Sequence, residues 1–323
     1  MGDVFMPNWT IDLDFASLAM QPRVPLRDAQ VVRDAILKAR ADNPVSPASD
    51  LQIHDLSLEC SEQSSRIPIR IYRRKDETGP LPVFLYLHGG GFFCGDRASD
   101  ELQCTHYALH ARCVVVSVTY RLAPEEPFPA GLMDCYQVLE SLWKQGSDLN
   151  LDMERVAVGG SSAGANLAAA VALLARDRKG PPICFQMLIV PALDDCLETE
   201  SARQFIDVPD FARAEAEVMW RWYLGPVPAD ASPYAAPMRE RHLADLPAAY
   251  ILCAGFDPLR DDGLNYARRL TEAGVVVELH LVPSIPHGFA SVPAAAVSQR
   301  LLNEQVEVLR RALSLETVNS HGR

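Results

Sequence analysis

The sequence has 323 residues, of which 48% are hydrophobic and 22% are charged, and its formal net charge is −12. A chain of this size and composition can bury a large core without a metal or disulfides to stabilise it. The negative charge disfavours nucleic acids and anionic membrane surfaces as partners, and the longest apolar run, residues 163–175, is too short to span a bilayer. We therefore predict a soluble globular protein.

Eight cysteines are scattered through the chain, mostly within apolar stretches. A secretory signal has a basic segment followed by an apolar one, and this pattern is not visible at the start of the sequence. Scattered cysteines without an oxidising compartment are typical of free, mostly buried thiols. The sequence therefore predicts a cytoplasmic protein without disulfides.

Strands and helices alternate from residue 51 onward. Before that point, residues 26–41 form a helical pattern between proline-rich flanks, in a segment that we delimit as 1–50. Strand-length apolar runs then occur at 82–88, 113–120, 155–160, 184–190, 248–255 and 275–282, and helical patterns lie near 131–145, 163–177, 261–273 and 294–314. Apolar strands that alternate with helices predict an α/β fold, in which a mainly parallel sheet is covered by helices on both faces.

The alternation breaks at residues 197–235. Within this stretch, residues 210–226 form a helical pattern that ends at Gly225-Pro226, between two predicted strands. We predict that 1–50 and 197–235 together form a helical cap above a core made of 51–196 and 236–323. The alternative is that both segments are ordinary surface helices.

The stretch 160–164, Gly-Ser-Ser-Ala-Gly, follows a predicted strand and opens a predicted helix. It matches G-x-S-x-G, a sharp turn that exposes a strained nucleophilic serine and needs small residues two positions before and after it. Counting from Ser162 gives Gly160 and Gly164, whereas counting from Ser161 gives a glycine and an alanine, a poorer fit. A glycine-rich turn without chemistry would show the same letters, but the strand–turn–helix context favours Ser162 as a nucleophile.

A second glycine-rich stretch, His-Gly-Gly-Gly-Phe at 88–92, follows the strand predicted at 82–88. It could be a flexible loop, but glycines also let backbone N–H groups approach a developing oxyanion without obstruction by side chains. The N–H group of Ala163, the residue after Ser162, would complete such an oxyanion hole. Two independent motifs thus predict one pocket.

A serine hydroxyl needs a neighbouring base, and the base needs an acid that orients it. Of the eight histidines, His287 is the one that follows the carboxyl end of a predicted strand and precedes a helix. Asp257 follows the preceding predicted strand, and Asp194 and Asp195, which follow the strand before that, are the alternative acids. The order Ser162, Asp257, His287 is that of the α/β hydrolases.

Two further motifs have simpler explanations. A C-x-H-x₃-H-x₂-C pattern is formed by Cys104, His106, His110 and Cys113, but its spacing matches no standard zinc finger and helix packing explains it better. Ser141 and Lys144 match S-x-x-K within a helical pattern, without the K-T-G that accompanies this motif in β-lactamases. We predict neither a metal nor a cofactor.

The ordered motifs resemble those of the bacterial hormone-sensitive-lipase-like esterases, also called family IV, of the α/β-hydrolase superfamily. The resemblance rests on HGGGF (88–92), YRLAPEEPFPA (120–130), GSSAGAN (160–166), DPLRDDG (257–263) and HGF (287–289). The sequence departs from the family at Ser161, where Asp or Thr is usual, and at Gly164-Ala165, where Gly-Gly is usual.

The resemblance implies a catalytic triad of Ser162, Asp257 and His287. It also implies that Gly89, Gly90 and Ala163 are the oxyanion donors, with Gly91 as the alternative in the same loop. The YRLAPE segment would brace the loops near the site, and the family forms dimers through the edge of its last strand.

The sequence thus predicts a serine carboxylesterase that acts on small esters with short to medium acyl chains. Five aromatic residues would shape an apolar substrate pocket, namely Phe92, Phe93, Trp220, Trp222 and Tyr223. The alternatives are an amidase or lyase with the same triad, and a non-catalytic ligand receptor on the same scaffold.

Overall fold

The computed structural model describes residues 10–20, 26–42, 48–60, 66–226 and 232–314. Parts of the predicted cap segments, namely 1–9, 21–25, 43–47 and 227–231, lie outside the described residues, as do 315–323 at the end of the predicted core.

Eight strands form one sheet: β1 Leu51–Glu59, β2 Arg66–Arg74, β3 Leu81–Leu87, β4 Val114–Val118, β5 Leu151–Ser161, β6 Phe185–Ile189, β7 Ala248–Phe256 and β8 Val277–Pro286. Their order in the sheet is β1-β2-β4-β3-β5-β6-β7-β8. The pairs β1–β2 and β2–β4 are antiparallel, and all other pairs are parallel. The predicted mainly parallel sheet is confirmed.

The α-helices of the described chain are α1 Ala16–Met20, α2 Ala29–Asp42, α3 Glu101–His110, α4 Ala130–Gln145, α5 Ala163–Asp177, α6 Glu200–Gln204, α7 Arg213–Leu224, α8 Arg260–Glu272 and α9 Ala296–Ala312. Each predicted strand and helix of the core coincides with an observed one to within a few residues. The sequence patterns did not single out β1 and β2. Most of β1 is exposed, so its polar residues hide the apolar signal of a strand.

The sheet separates two hydrophobic cores. Along β3, Val83, Leu85 and Leu87 face the core that α4, α5 and α8 cover, whereas Phe84 and Tyr86 face the core that α3 and α9 cover. This alternation follows from the two-residue period of a strand. Every residue of α5 from Ala163 to Ala175 is buried, which explains why its sequence is apolar on all sides.

The parallel strands place their carboxyl ends along one edge of the sheet. His88, Ser162, Asp257 and His287 each directly follow a strand, namely β3, β5, β7 and β8. Ligand sites of open parallel sheets lie at this edge. No helix in the described parts of the chain is long and apolar enough to cross a membrane.

Candidate active site

Ser162 lies at a sharp turn between β5 and α5. Its φ of 56° and ψ of −117° are in the left-handed region that favours glycine, a conformation that costs about 1–3 kcal/mol. The Ser162 N–H group donates to the carbonyl oxygen of Ile189, at the end of the adjacent β6, over 2.8 Å. This bond helps to hold the strained turn.

The turn leaves no room for side chains at the two flanking glycines. A Cβ atom at Gly160 would lie 2.2 Å from the Leu87 carbonyl oxygen, and one at Gly164 would lie 2.0 Å from the same oxygen. The G-x-S-x-G spacing is therefore a steric requirement of the close approach between α5 and the end of β3. That approach also brings the loop after β3 next to Ser162.

The structure brings Ser162, His287 and Asp257 into hydrogen-bond contact. His287 Nε2 lies 2.9 Å from Ser162 Oγ, and His287 Nδ1 lies 2.7 Å from Asp257 Oδ2. Because a carboxylate only accepts, Nδ1 carries the proton and Nε2 is the acceptor for the serine hydroxyl. Asp257 is fully buried, and its other oxygen accepts the Leu259 N–H group over 2.8 Å.

Neighbouring carboxylates set the basicity of the imidazole. Burial of the ring lowers the pKa of His287, but the neighbouring Asp257 carboxylate, assisted by Asp210, outweighs burial and raises it above the ordinary value. The neutral ring is thus a stronger base than a free histidine. It is held in the tautomer that can take a proton from Ser162.

The loop after β3 directs its amides differently from the prediction. The Gly89 N–H group donates to Asp100 Oδ2 over 3.3 Å, so this amide is engaged by a carboxylate and the prediction that it is an oxyanion donor is not supported. Among the described residues, the amides of Gly90, Gly91 and Ala163 have no hydrogen-bond partner. Gly90 and Gly91 adopt φ values of 114° and 59°, which turn the backbone and redirect these amides relative to that of Gly89.

His88 braces this loop from within the core. Its ring is fully buried and stacks on Tyr120, with ring centroids 4.1 Å apart, and its Nδ1 lies 2.7 Å from the Gly89 carbonyl oxygen. The Tyr120 hydroxyl donates to the His88 carbonyl oxygen over 2.8 Å. Burial lowers the pKa of His88, so its ring stays neutral. The start of the YRLAPE segment therefore contacts the loop at its base.

Comparison with known proteins identifies the family. A family model described as "alpha/beta hydrolase fold" matches residues 84–291. The chain belongs to the α/β-hydrolase family. This confirms the resemblance inferred from the motifs.

Several relatives of this α/β hydrolase are named as esterases. It is 38% identical to Esterase LipI of Mycobacterium tuberculosis over 81% of this chain and 84% of that protein. It is 39% identical to Carboxylesterase NlhH of the same species, over 76% and 79% of the two chains. Among solved structures, a bacterial heroin esterase superposes with a TM-score of 0.91 at 39% identity, covering 94% of this chain and 98% of the other.

The hydrolase has a cavity of about 700 Å³ in front of Ser162 and His287. Its wall combines the loop after β3, the N-terminal helices and the segment before α7: Leu18, Leu26, Ile36, Arg40, Gly89, Gly90, Gly91, Phe93, Cys94, Gly95, Ser99, Asp100, Ser161, Ser162, Asp210, Phe211, Glu215, His287, Gly288, Ala290 and Ser291. A second cavity of about 350 Å³ lies between α3 and α9 and shares Asp100, Ser161 and Ala290 with the first.

Of the five predicted pocket aromatics, Phe93 is the one that lines the cavity before Ser162. Phe92, Trp220 and Tyr223 are buried elsewhere, and the Phe92 ring stacks on Tyr223 with centroids 3.7 Å apart. Trp222 packs edge-on against Phe93 at 4.9 Å. The prediction was therefore wrong for Phe92, Trp220 and Tyr223, because these rings pack against one another in the core.

Among the cavity residues that sequence reasoning missed are Asp210 and Phe211. The Phe211 ring stacks on the His287 ring, with centroids 4.6 Å apart. Both residues precede α7 in a segment that the sequence marked only as helical, and neither belongs to a motif. No local pattern could have placed them beside His287.

The alternative residues have other partners. Asp195 forms a 2.7 Å ion pair with Arg239, and Asp194 accepts the N–H group of Cys196. The Ser141 hydroxyl donates to the carbonyl oxygen of Glu59, away from the cavity.

The C-x-H-x₃-H-x₂-C residues likewise serve packing. Cys104 and Cys113 are buried in the core on the α3 face, and His106 Nε2 lies 2.9 Å from Asn303 Oδ1 on α9. All eight cysteines are free thiols.

Proposed function

We propose that this α/β hydrolase is a serine carboxylesterase that cleaves small esters through an acyl-enzyme intermediate. Its family and its relatives make it a carboxylic ester hydrolase; the mechanism and the residue roles are our proposal. One observation carries it: the imidazole of His287 lies between the Ser162 hydroxyl, at 2.9 Å, and the buried Asp257 carboxylate, at 2.7 Å.

The contacts support a two-step reaction. As Ser162 Oγ attacks the ester carbonyl carbon, His287 Nε2 takes the hydroxyl proton, and the imidazolium then protonates the leaving alcohol. A water molecule, deprotonated by the same nitrogen, attacks the acyl-enzyme and releases the acid. Asp257 holds the Nδ1–H tautomer throughout and stabilises the imidazolium that forms twice per turnover.

The oxyanion formed in each step needs preorganised donors. We propose Gly90, Gly91 and Ala163 for this role. Gly90 and Gly91 line the cavity that contains Ser162, Ala163 directly follows Ser162, and the three amides have no hydrogen-bond partner among the described residues. Losing one such donor costs about 10²–10³ in kcat in comparable sites. Gly89 would act indirectly, since its bond to Asp100 holds the loop in place.

The cavity supports small ester substrates. Its volume of about 700 Å³ lies in the range of small-molecule sites. Leu18, Leu26, Ile36 and Phe93 offer an apolar surface to an acyl or alcohol group. We propose short to medium acyl chains, and we propose that segments 1–50 and 197–235 form the cap over the substrate.

The edge strand supports a homodimer. β8 ends the sheet order, and apolar side chains on and beside it are exposed, namely Val276, Leu279 and Leu281. An edge strand with exposed apolar side chains is prone to pair with a second copy. Light scattering after size exclusion would measure the mass, and a concentration-independent monomer would refute this assembly.

The eight free thiols support a cytoplasmic location. Fractionation of the source cells, followed by esterase assay of each fraction, tests it. Activity confined to an extracellular fraction would refute it.

The decisive experiment compares Ser162→Ala with Ser161→Ala on a chain-length series of p-nitrophenyl esters. We expect Ser162→Ala to lose about 10⁴-fold or more in kcat and to lose labelling by a fluorophosphonate. Ser161→Ala should retain labelling and most of its turnover. Inactivation by Ser161→Ala with an active Ser162→Ala enzyme would reverse the assignment. A profile that peaks on long-chain triglyceride emulsions would remove the chain-length proposal.

A further inference from the structure

The loop between α6 and α7, residues 205–212, reaches the acid of the proposed triad from the insertion. Phe205, Val208 and Ala212 form a buried cluster against Phe256, the residue before Asp257. The Phe205 and Phe256 rings lie 5.9 Å apart. The loop is therefore packed on the strand end that carries the acid.

The same loop also reaches the base. Phe211 stacks on His287 at an interplanar angle of 28°. This contact limits rotation of the imidazole. One short loop therefore contacts both the His287 ring and Phe256, the residue before Asp257.

Asp210 contacts the residue that follows the base. A Cβ atom at Gly288 would lie 2.1 Å from Asp210 Oδ2 and 2.9 Å from Oδ1, so the carboxylate sits directly on this glycine. Burial raises the pKa of the Asp210 carboxylate, and the adjacent Gly288 peptide partly offsets that rise. Asp210 itself has a φ of 70°, a conformation that aspartate adopts more readily than most residues. This backbone conformation places the Asp210 carboxylate against Gly288, the residue after His287.

The charged groups around this contact are few. His287 faces the carboxylates of Asp257 and Asp210, and Asp210 in turn faces His287, Asp257 and Glu215 on α7. Asp210 is exposed to water on the cavity wall, although protein atoms surround much of its carboxylate. A bound substrate would displace that water and strengthen the attraction between Asp210 and an imidazolium.

We propose that Asp210 is a positioning residue for His287. Its carboxylate holds the His287–Gly288 peptide so that Nε2 faces Ser162, and its charge stabilises the imidazolium formed during acyl transfer. This inference rests on the proposed function of His287 as the base. It assigns a role in the reaction to the insertion besides covering the cavity.

The test uses Asp210→Asn, which keeps an acceptor for Gly288 and removes the charge, and Asp210→Ala, which removes both. Asp207→Asn, in the same loop but not lining the cavity, is the matched control. With p-nitrophenyl acetate, we expect Asp210→Asn to move the acidic limb of kcat/KM to lower pH by about 0.5–1 pH unit. Its kcat on the high-pH plateau should fall about 3–10-fold with KM unchanged. Asp210→Ala should lose about 10²-fold in kcat, and Asp207→Asn should match the wild type.

A merely structural role would lower activity equally at every pH and leave the acidic limb in place, which would overturn the inference. An Asp207→Asn enzyme with the same shift would overturn it as well. If Asp210→Asn does not fold by its thermal transition, Asp210→Ser supplies an uncharged acceptor for the same measurement. Fluorophosphonate labelling of wild-type Ser162 keeps the two proposals apart, because its failure would reject the proposed function itself.

Discussion

The tightest contact of the candidate site lies at Gly164, and Gly164→Ala tests it. The added Cβ atom would lie 2.0 Å from the Leu87 carbonyl oxygen and 2.6 Å from that of His88. Carbon and oxygen atoms that are not bonded rarely approach within about 3 Å. The start of α5 and the end of β3 must therefore separate by about 1 Å. Ser162 lies at the start of α5, and the glycine loop with the proposed oxyanion donors follows the end of β3.

Two magnitudes follow from that separation. A displacement of about 1 Å between catalytic groups costs about 10²-fold in rate. Overpacking of this kind destabilises a protein by about 1–3 kcal/mol, which for a chain of this size lowers Tm by about 1.5–4.5 °C.

The assay is kcat/KM for p-nitrophenyl acetate per mole of folded enzyme, with Tm measured on the same samples. Gly79→Ala is the matched control, because a Cβ atom there has nothing within 4 Å. It should match the wild type in both measurements. A Gly164→Ala enzyme with wild-type kcat/KM and Tm would show that the turn has more room than the structure describes, and the steric reasoning would fail.

Three further predictions concern the base, the acid and the N-terminal helix. Because the pKa of His287 is raised and the neutral ring is the base, kcat/KM should fall as pH drops through a value above the ordinary 6.5; a limb below 6.5 in the pH–rate profile would contradict this. Asp257→Asn should lower kcat about 10⁴-fold and move that acidic limb to lower pH. Stopped assays across pH measure both effects, and an unchanged kcat or an unshifted limb would contradict the role of Asp257. Arg33 on α2 pairs with Glu125 at 2.6 Å and donates to the carbonyl oxygens of Phe93 and Ala123, so Arg33→Gln should loosen α2 and raise KM several-fold with little change in kcat. Faster proteolysis near α2 would accompany that rise, and an unchanged KM would refute the role of Arg33 as an anchor.

Much of the candidate site could be predicted from the sequence because its chemistry is tied to strand ends. Ser162, Asp257 and His287 each lie within five residues after the end of a predicted strand, and the carboxyl ends of parallel strands converge whatever the surrounding sequence. Small residues around Ser162 are required by backbone contacts that any such turn must make. Local patterns therefore carried the family, the fold class and the three residues that the structure brings together.

The tertiary structure alone decided how the surroundings are arranged. Phe92, Trp220 and Tyr223 have the composition of a substrate pocket, but ring stacking between distant segments buries them in the core instead. The Gly89 amide is engaged because Asp100, eleven residues later, lies within reach of it. Backbone dihedrals at successive glycines set the direction of each amide, and these angles are not encoded in the identity of a residue that tolerates nearly all of them.

Asp210 and Phe211 are the converse case, because they lie at the site but could not be predicted from the sequence. They belong to no motif, and their place beside His287 results from the packing of residues 205–212 against Phe256. Periodicity and spacing report which face of an element is buried, since that depends on neighbours along the chain. Which side chains from separate segments meet depends on the shape of the whole core, so only the folded chain determines it.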